Sequence, residues 1–306
     1  MRNLARDTTR AASAHTYQVI EWLVDWRRRD HAYLAYAYFR WVDDWLDGPA
    51  RRPAARQSFV ERQNGLIADC YAGQPTAPVS PQEDMLIQLI HSDPDPASPL
   101  APYIHNMMAV MAFDAERRGR LILQAELGAY QRWLAVAVTE AIFYFLGADN
   151  SAAQTSERYL AVTAAHITHM LRDTRDDLSA GYYNIPLEYL RQHQISHEDV
   201  DSPPYRHWVR LRVHQARDHF MRGRKYLASC RSLSCRLATL SYTARFETVL
   251  DQIEADDFQL RRDYDVCRTP GLSLRIAASA LKSAMGFDPS ARPIEPRGSQ
   301  GAPRLE

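Results

Sequence analysis

An all-α fold is predicted for this chain of 306 residues, and three observations predict it. Apolar residues recur at spacings of three and four along most of the length. No stretch alternates β-branched with polar residues, and Gly48-Pro49, Gly73 and proline-rich stretches break the periodic pattern into segments. The first segment covers about 16–26, where Tyr17, Ile20, Leu23 and Val24 share one face. A second runs from Asp30, a good N-cap residue, to Asp47, with Gly48-Pro49 as its stop. The third spans 53–71 and ends at Gly73. Loops are expected over 73–81 and over the proline-rich 92–102, each lying between helical segments. Helices resume at about 103–118, 123–145 and 156–178. After a break at 181–186 come 187–193, 205–229 and 234–264, and the last candidate is 272–285. Composition does not shift across the loops, so one helical domain of about ten helices is expected over 1–286. The polar, Pro- and Gly-rich tail 287–306 has little to bury and is expected to be disordered.

Hydrophobic residues make up 46% and charged residues 24%, a balance that supports a sizeable core. Basic and acidic residues number 37 each, so no global field draws the chain to nucleic acid, and none is expected as a partner. Cys70, Cys230, Cys235 and Cys267 form no CxxC pair, which argues for reduced thiols and against a zinc knuckle or a disulfide framework. The N-terminal arginines have no apolar run behind them, unlike a secretory signal. No stretch approaches the ~20 apolar residues of a membrane span. A cytoplasmic protein is expected, at most peripheral to a membrane, since no basic amphipathic segment stands out.

Two aspartate clusters carry the chemistry. In YAYFRWVDDWLD, Asp43 and Asp47 lie one helical turn apart on one face, with Arg40 and Tyr36 each a turn further back. Aromatic neighbours imply that this helix is largely buried. In HMLRDTRDDLSAGYYNIP, Asp173 and Asp177 again share a face, Arg172 precedes them, and His166 and His169 project from the same side. Carboxylates placed together in apolar helices repel one another unless cations lie between them. Such hard oxygen donors suit Mg²⁺, which keeps some waters and reaches phosphate oxygens through its remaining positions. Two opposed pairs could hold Mg²⁺ around a diphosphate and neutralise charge as a C–O bond breaks, while Arg40 and Arg172 add contacts to phosphate.

These motifs resemble those of the squalene/phytoene synthase family of head-to-head prenyltransferases. Tyr36 to Asp47 is similar to the family's first aspartate-rich motif, with Arg40, Asp43 and Asp47 at its key positions. Leu171 to Asp177 resembles the second, with Asp173 and Asp177 at metal-binding positions and Arg172 at a phosphate-binding one. Val249 to Phe258 is like the closing helix, and Arg245 just upstream falls near its substrate arginine. Tyr130 falls where the family has an active-site tyrosine, and Thr16 near a phosphate-contacting hydroxyl. The matched order covers roughly residues 15–265. The resemblance implies an orthogonal helical bundle of the isoprenoid synthase type around a central apolar cavity. It also implies Mg²⁺, with Mn²⁺ as an alternative ion, and farnesyl (C15) or geranylgeranyl (C20) diphosphates as substrates. Two of these condense to a cyclopropylcarbinyl diphosphate that is ionised again, with release of diphosphate. An allylic cation needs a dry, aromatic lining, for which Tyr17, Phe39, Tyr130, Trp133, Phe143 and Tyr144 are the candidates.

The chain departs from the family pattern at three places. His166 and His169 stand where the family usually has Gln and Asn. The resemblance therefore implies a diphosphate contact from His166 and a metal ligand from His169, with a hydrogen-bonded core histidine as the other reading of His169. WLAVAVTE, with Glu140, replaces a glycine-containing stretch, which would narrow or reshape a cavity wall. Tyr182 and Asn184, in Gly181-Tyr-Tyr-Asn-Ile-Pro186, replace an arginine and a tyrosine. Three other readings stay open: a terpene synthase ionising a single prenyl diphosphate, a non-catalytic scaffold, and a His-carboxylate metalloenzyme built on His166, His169 and Asp173.

Overall fold

Capping chemistry sets the helix boundaries in the computed structural model, which describes residues 2–48, 51–74, 79–93, 95, 97–147, 155–229 and 232–264. Twelve α-helices occur among these residues, and no strand. They are α1 (Arg2–Ala12), α2 (Ala14–Leu23), α3 (Arg29–Asp47), α4 (Pro53–Tyr71), α5 (Pro81–His91), α6 (Leu100–Arg117), α7 (Gln124–Phe145), α8 (Leu160–Arg172), α9 (Thr174–Ala180), α10 (Leu187–His193), α11 (Pro203–Ser229) and α12 (Leu233–Ala255). A 3₁₀ turn, Ser156–Tyr159, leads into α8. The candidate helix 272–285 and the tail 287–306 lie outside the described residues, as do Cys230 and Cys267. Cys70 and Cys235 are buried.

Two helices were not placed by periodicity. α5 begins with a reciprocal cap, in which the Ser80 hydroxyl accepts from the Glu83 N–H and the Glu83 carboxylate accepts from the Ser80 N–H. α1 buries only the small residues Ala5 and Thr9, too thin a stripe to read from sequence. Two boundaries also differ from expectation. The segment 156–178 bends at Asp173, whose backbone leaves the helical region (φ −94°, ψ 5°) while the flanking hydrogen bonds Asp173 N–H to His169 O and Asp177 N–H to Asp173 O persist. The last helix stops at Ala255, because Asp257 and Phe258 adopt left-handed backbone angles and the Phe258 N–H returns to Ile253 O.

Two apolar cores form, one around Tyr38, Leu86, Leu89 and Ile104, the other around Ile167, Val209, Phe220 and Val249. Helices α6 and α7 contribute to both. α11 lies against the start of α8 so closely that a Cβ on Gly223 would sit 2.6 Å from Ala161 N, which only glycine avoids. Behind α7, Glu140 and Arg158 (6% and 2% exposed) form a bidentate buried ion pair at 2.9 and 2.7 Å, and Tyr159 donates to the same carboxylate at 2.9 Å. Glu140 therefore faces away from the cavity and does not reshape its wall. The loop after α9 is tied to the end of α6 by the Gly119 N–H, which donates to Gly181 O at 2.7 Å, with both glycines at positive φ (76° and 86°). That tie places residues 182–184 beside the ends of α3 and α6.

Candidate active site

The first aspartate cluster lies on a rim. Asp43 is half-buried, and Asp44 and Asp47 are exposed, so the expected inward-facing trio is corrected to one partly enclosed carboxylate and two open ones. The rest of α3 is buried as expected, with Tyr33, Tyr38, Phe39 and Val42 inside. Arg40 pairs with Asp44 and approaches Asp43 at 3.3 Å. Burial, then the charge on Asp47, pushes the Asp43 carboxyl up to about 6 against the pull of Arg40.

The second cluster is half-buried at the junction of α8 and α9. Arg172 grips Asp173 with two donors, Nε to Oδ1 at 2.5 Å and Nη2 to Oδ2 at 2.7 Å, and His169 Nε2 lies 2.8 Å from Oδ2. Burial would raise the Asp173 carboxyl, but these partners outweigh it and hold it well below the usual carboxylate range. Asp177 has weaker support, and burial followed by the charge on Asp173 pushes it up to about 6. His166 is enclosed (4% exposed) against the Tyr130 ring at 5.1 Å, with neither ring nitrogen hydrogen-bonded, and desolvation keeps it neutral.

Two residues absent from the sequence expectations join the clusters. Asp114, on α6, accepts from Arg117 Nε at 2.6 Å and from the Tyr130 hydroxyl at 2.9 Å. Arg117 (7% exposed) also donates to Asn184 Oδ1 at 2.8 Å, and Asn184 Nδ2 donates to Asp177 Oδ2 at 2.6 Å. The Tyr182 hydroxyl reaches back to Asp47 Oδ1 at 3.3 Å, directly linking the second motif's loop to the first cluster. Asp114 in turn feels the charge of Asp47 and adds to that on Asp43. The two clusters thus meet at one rim, with α6 between them. In the sequence, AFDAERR is the polar end of the helix expected at 103–118, and the available signal was the shared face of Asp114 and Arg117, three residues apart.

An apolar cavity of about 220 Å³ is lined mainly by α2, α3 and α7 and by Ala238 and Tyr242 of α12. None of Asp43, Asp47, Asp173 and Asp177 lines it, but its Tyr36 and Tyr242 lie within electrostatic reach of Arg40 and Arg172 at the rim. Thr16 and Tyr36 are on its wall, and Tyr36 is one turn before Arg40. Arg245 stacks its guanidinium over Tyr242 and Phe246, at 4.9 and 4.6 Å. The aromatic lining differs from the one expected: Tyr36, Tyr103, Phe145 and Tyr242 face the space, whereas Tyr17, Phe39, Tyr130, Trp133, Phe143 and Tyr144 pack into the two cores. α7 is apolar around most of its circumference, so periodicity could not choose which face met the cavity.

Among the described residues, no three His, Cys, Asp or Glu side chains converge to hold an ion by themselves. The carboxylates instead come in pairs, and in each pair one member is pushed up by burial and then by its neighbour's charge, a condition that a divalent cation relieves. A hard ion completed by water and diphosphate oxygens fits such a site. Asp43 with Asp47, and Asp177 with Asp173, are the residues that would hold it. His169 is engaged with Asp173 and offers a softer donor.

A family model described as "Squalene/phytoene synthase" matches residues 9–271. Phytoene synthase 1 of Solanum lycopersicum is 26% identical over 260 residues, covering 81% of this chain and 60% of the relative. The 15-cis-phytoene synthase of a Synechocystis species is 24% identical over 274 residues, covering 83% of this chain and 77% of the relative. This chain spans about 60% of the length of the first plant relatives it matches. Among solved structures, the squalene synthase HpnC from Alicyclobacillus acidocaldarius superposes with a TM-score of 0.66 at 21% identity, over 85% of this chain and 95% of that one. A ligand-bound dehydrosqualene synthase gives a TM-score of 0.70 at 14% identity, over 94% and 97%. At these identities the structural matches speak for the shared helical fold alone.

Proposed function

Since this chain belongs to the squalene/phytoene synthase family, we propose that it is a divalent-metal-dependent prenyltransferase that ionises and condenses two farnesyl or geranylgeranyl diphosphates. The observation that carries this reading is the meeting of two carboxylate pairs at one rim, linked by Tyr182 and α6, with an apolar cavity whose Tyr36 and Tyr242 lie within electrostatic reach of Arg40 and Arg172. Bound divalent ions, Mg²⁺ or Mn²⁺, would supply the positive charge that a departing diphosphate requires. Asp43, Asp47, Asp173 and Asp177 hold that charge. Arg40 and Arg172, each paired with an aspartate of its own cluster, and Arg245, stacked on the cavity residue Tyr242, would donate to phosphate oxygens. Thr16 and Tyr36, on the cavity wall, would orient the diphosphate end of the substrate, Tyr36 one turn before Arg40. The cavity wall excludes water from the cation, and the face of Tyr242 offers it π density. Tyr130, held neutral and hydrogen-bonded to Asp114, keeps its hydroxyl proton throughout.

The test is incubation with each diphosphate and Mg²⁺, followed by mass analysis of an organic extract and assay of released diphosphate. Products of twice the substrate's carbon number, C30 or C40, are expected, and EDTA abolishes them. Products with the substrate's own carbon number would instead assign the chain to the single-substrate terpene synthase reaction.

A further inference from the structure

The geometry points to Asp114, Arg117 and Asn184 as a positioning relay that aims the Asp177 carboxylate for cation binding, an inference that rests on the metal-dependent reading above. Asp177 needs such a device. It sits on a helix of seven residues beyond the bend at Asp173, and the strong donors of the second cluster, Arg172 and His169, are both spent on Asp173. Asn184 supplies the missing hold. A guanidinium can only donate, so the Asn184 carbonyl oxygen must face Arg117, and the amide NH₂ must then face Asp177. Arg117 thus dictates which way the amide points, and the amide holds one oxygen of the carboxylate.

Arg117 is itself immobilised. Asp114 accepts from its Nε at 2.6 Å, and the rings of Tyr130 and Tyr182 lie 4.7 and 4.9 Å from the guanidinium carbon. The Gly119–Gly181 hydrogen bond holds the Asn184 loop against the same end of α6. Tyr182 and Asn184 stand at the two positions where this loop departs from the family pattern, and both contact Arg117. The side chain on α6 therefore supplies the loop with a cation that its own sequence lacks.

The experiment is titration of Mn²⁺ in the presence of inorganic diphosphate, with free Mn²⁺ read by electron paramagnetic resonance. It compares the parent chain, Asn184→Ala, Asp177→Asn and the double variant. Asn184→Ala should weaken Mn²⁺ binding about 10-fold, the order seen for partners that orient a ligand. The double variant should bind no more weakly than Asp177→Asn alone, because Asn184 acts through Asp177. A merely structural role would not produce that second result. Should Asn184→Ala melt early, Asn184→Ser carries the same comparison. Parent-like binding by the Asn184 variants, or losses that multiply in the double variant, would overturn the relay while leaving the metal reading intact. A parent that binds no Mn²⁺ would overturn both.

Discussion

Asp43 and Asp177 are costly in the protein without metal, because each is partly withdrawn from water beside a second carboxylate. An ordinary aspartate ionises near 3.8, and both are pushed up to about 6. A group whose folded pKa lies above its unfolded value favours the fold when protonated. That stabilisation is complete below about pH 3.8 and is lost as pH rises through about 6. Asp43→Asn removes the penalty, so thermal melting of the metal-free variant at pH 7.5 should exceed that of the parent, with the gap closing toward pH 4. The same change should lower turnover by about 10²-fold or more, as loss of a charge-stabilising group at a reacting centre does. Equal melting of the two chains at pH 7.5 would show that Asp43 carries no unrelieved charge. The two clusters were legible in the sequence because carboxylates repeated at one-turn spacing in an apolar helix cost stability unless a cation joins them. Asp114 and Arg117 were not, since an aspartate and an arginine near a helix end have ordinary roles until the fold brings them together, and Asn184 showed only as a departure from the family pattern. The six candidate lining aromatics were misassigned for the opposite reason, as an aromatic side chain is equally at home in a core.

At the scale of elements, the helices bounded by Pro or Gly were read almost to the residue, as with Pro53–Tyr71, which ends before Gly73, and Leu187–His193, which follows Pro186. The failures have identifiable physical causes. A bend that keeps its i to i−4 hydrogen bonds, as at Asp173, leaves no trace in hydrophobic spacing. A helix stop made by left-handed Asp257 and Phe258 lacks the usual glycine signal. Glu140 looked like a charge on the cavity wall, but its partner Arg158 is 18 positions away in a turn that joins two helices. This pair is a stability element of α7 and the 3₁₀ turn. Arg158→Met leaves Glu140 buried and unpaired, and should cost about 3–5 kcal/mol in denaturant unfolding. Replacing both, with Glu140→Leu added, should recover most of that loss. A double variant as unstable as Arg158→Met would mean that packing rather than charge compensation holds the turn.

For the molecule as a whole, α6, α7, α11 and α12 contribute to both apolar cores, and side chains of α3, α6 and the α9 loop link the two clusters at the rim. The cavity's Tyr36 and Tyr242 lie within electrostatic reach of Arg40 and Arg172 at that rim, so charge handling and the apolar chain would occupy adjoining regions. An all-α class and the pairing of two aspartate motifs followed from local patterns. Which helix lay between the motifs did not, because long-range packing alone decides it. The central claim is that both carboxylate pairs share divalent ions with one diphosphate. A crystal structure with Mn²⁺ and a non-hydrolysable prenyl thiodiphosphate, with the ions located by anomalous scattering, tests it most directly. Ions bridging the diphosphate to both Asp43/Asp47 and Asp173/Asp177, with the prenyl chain in the cavity beside Tyr36, are the expected result. Ions confined to one cluster, or a diphosphate bound away from the rim, would contradict it.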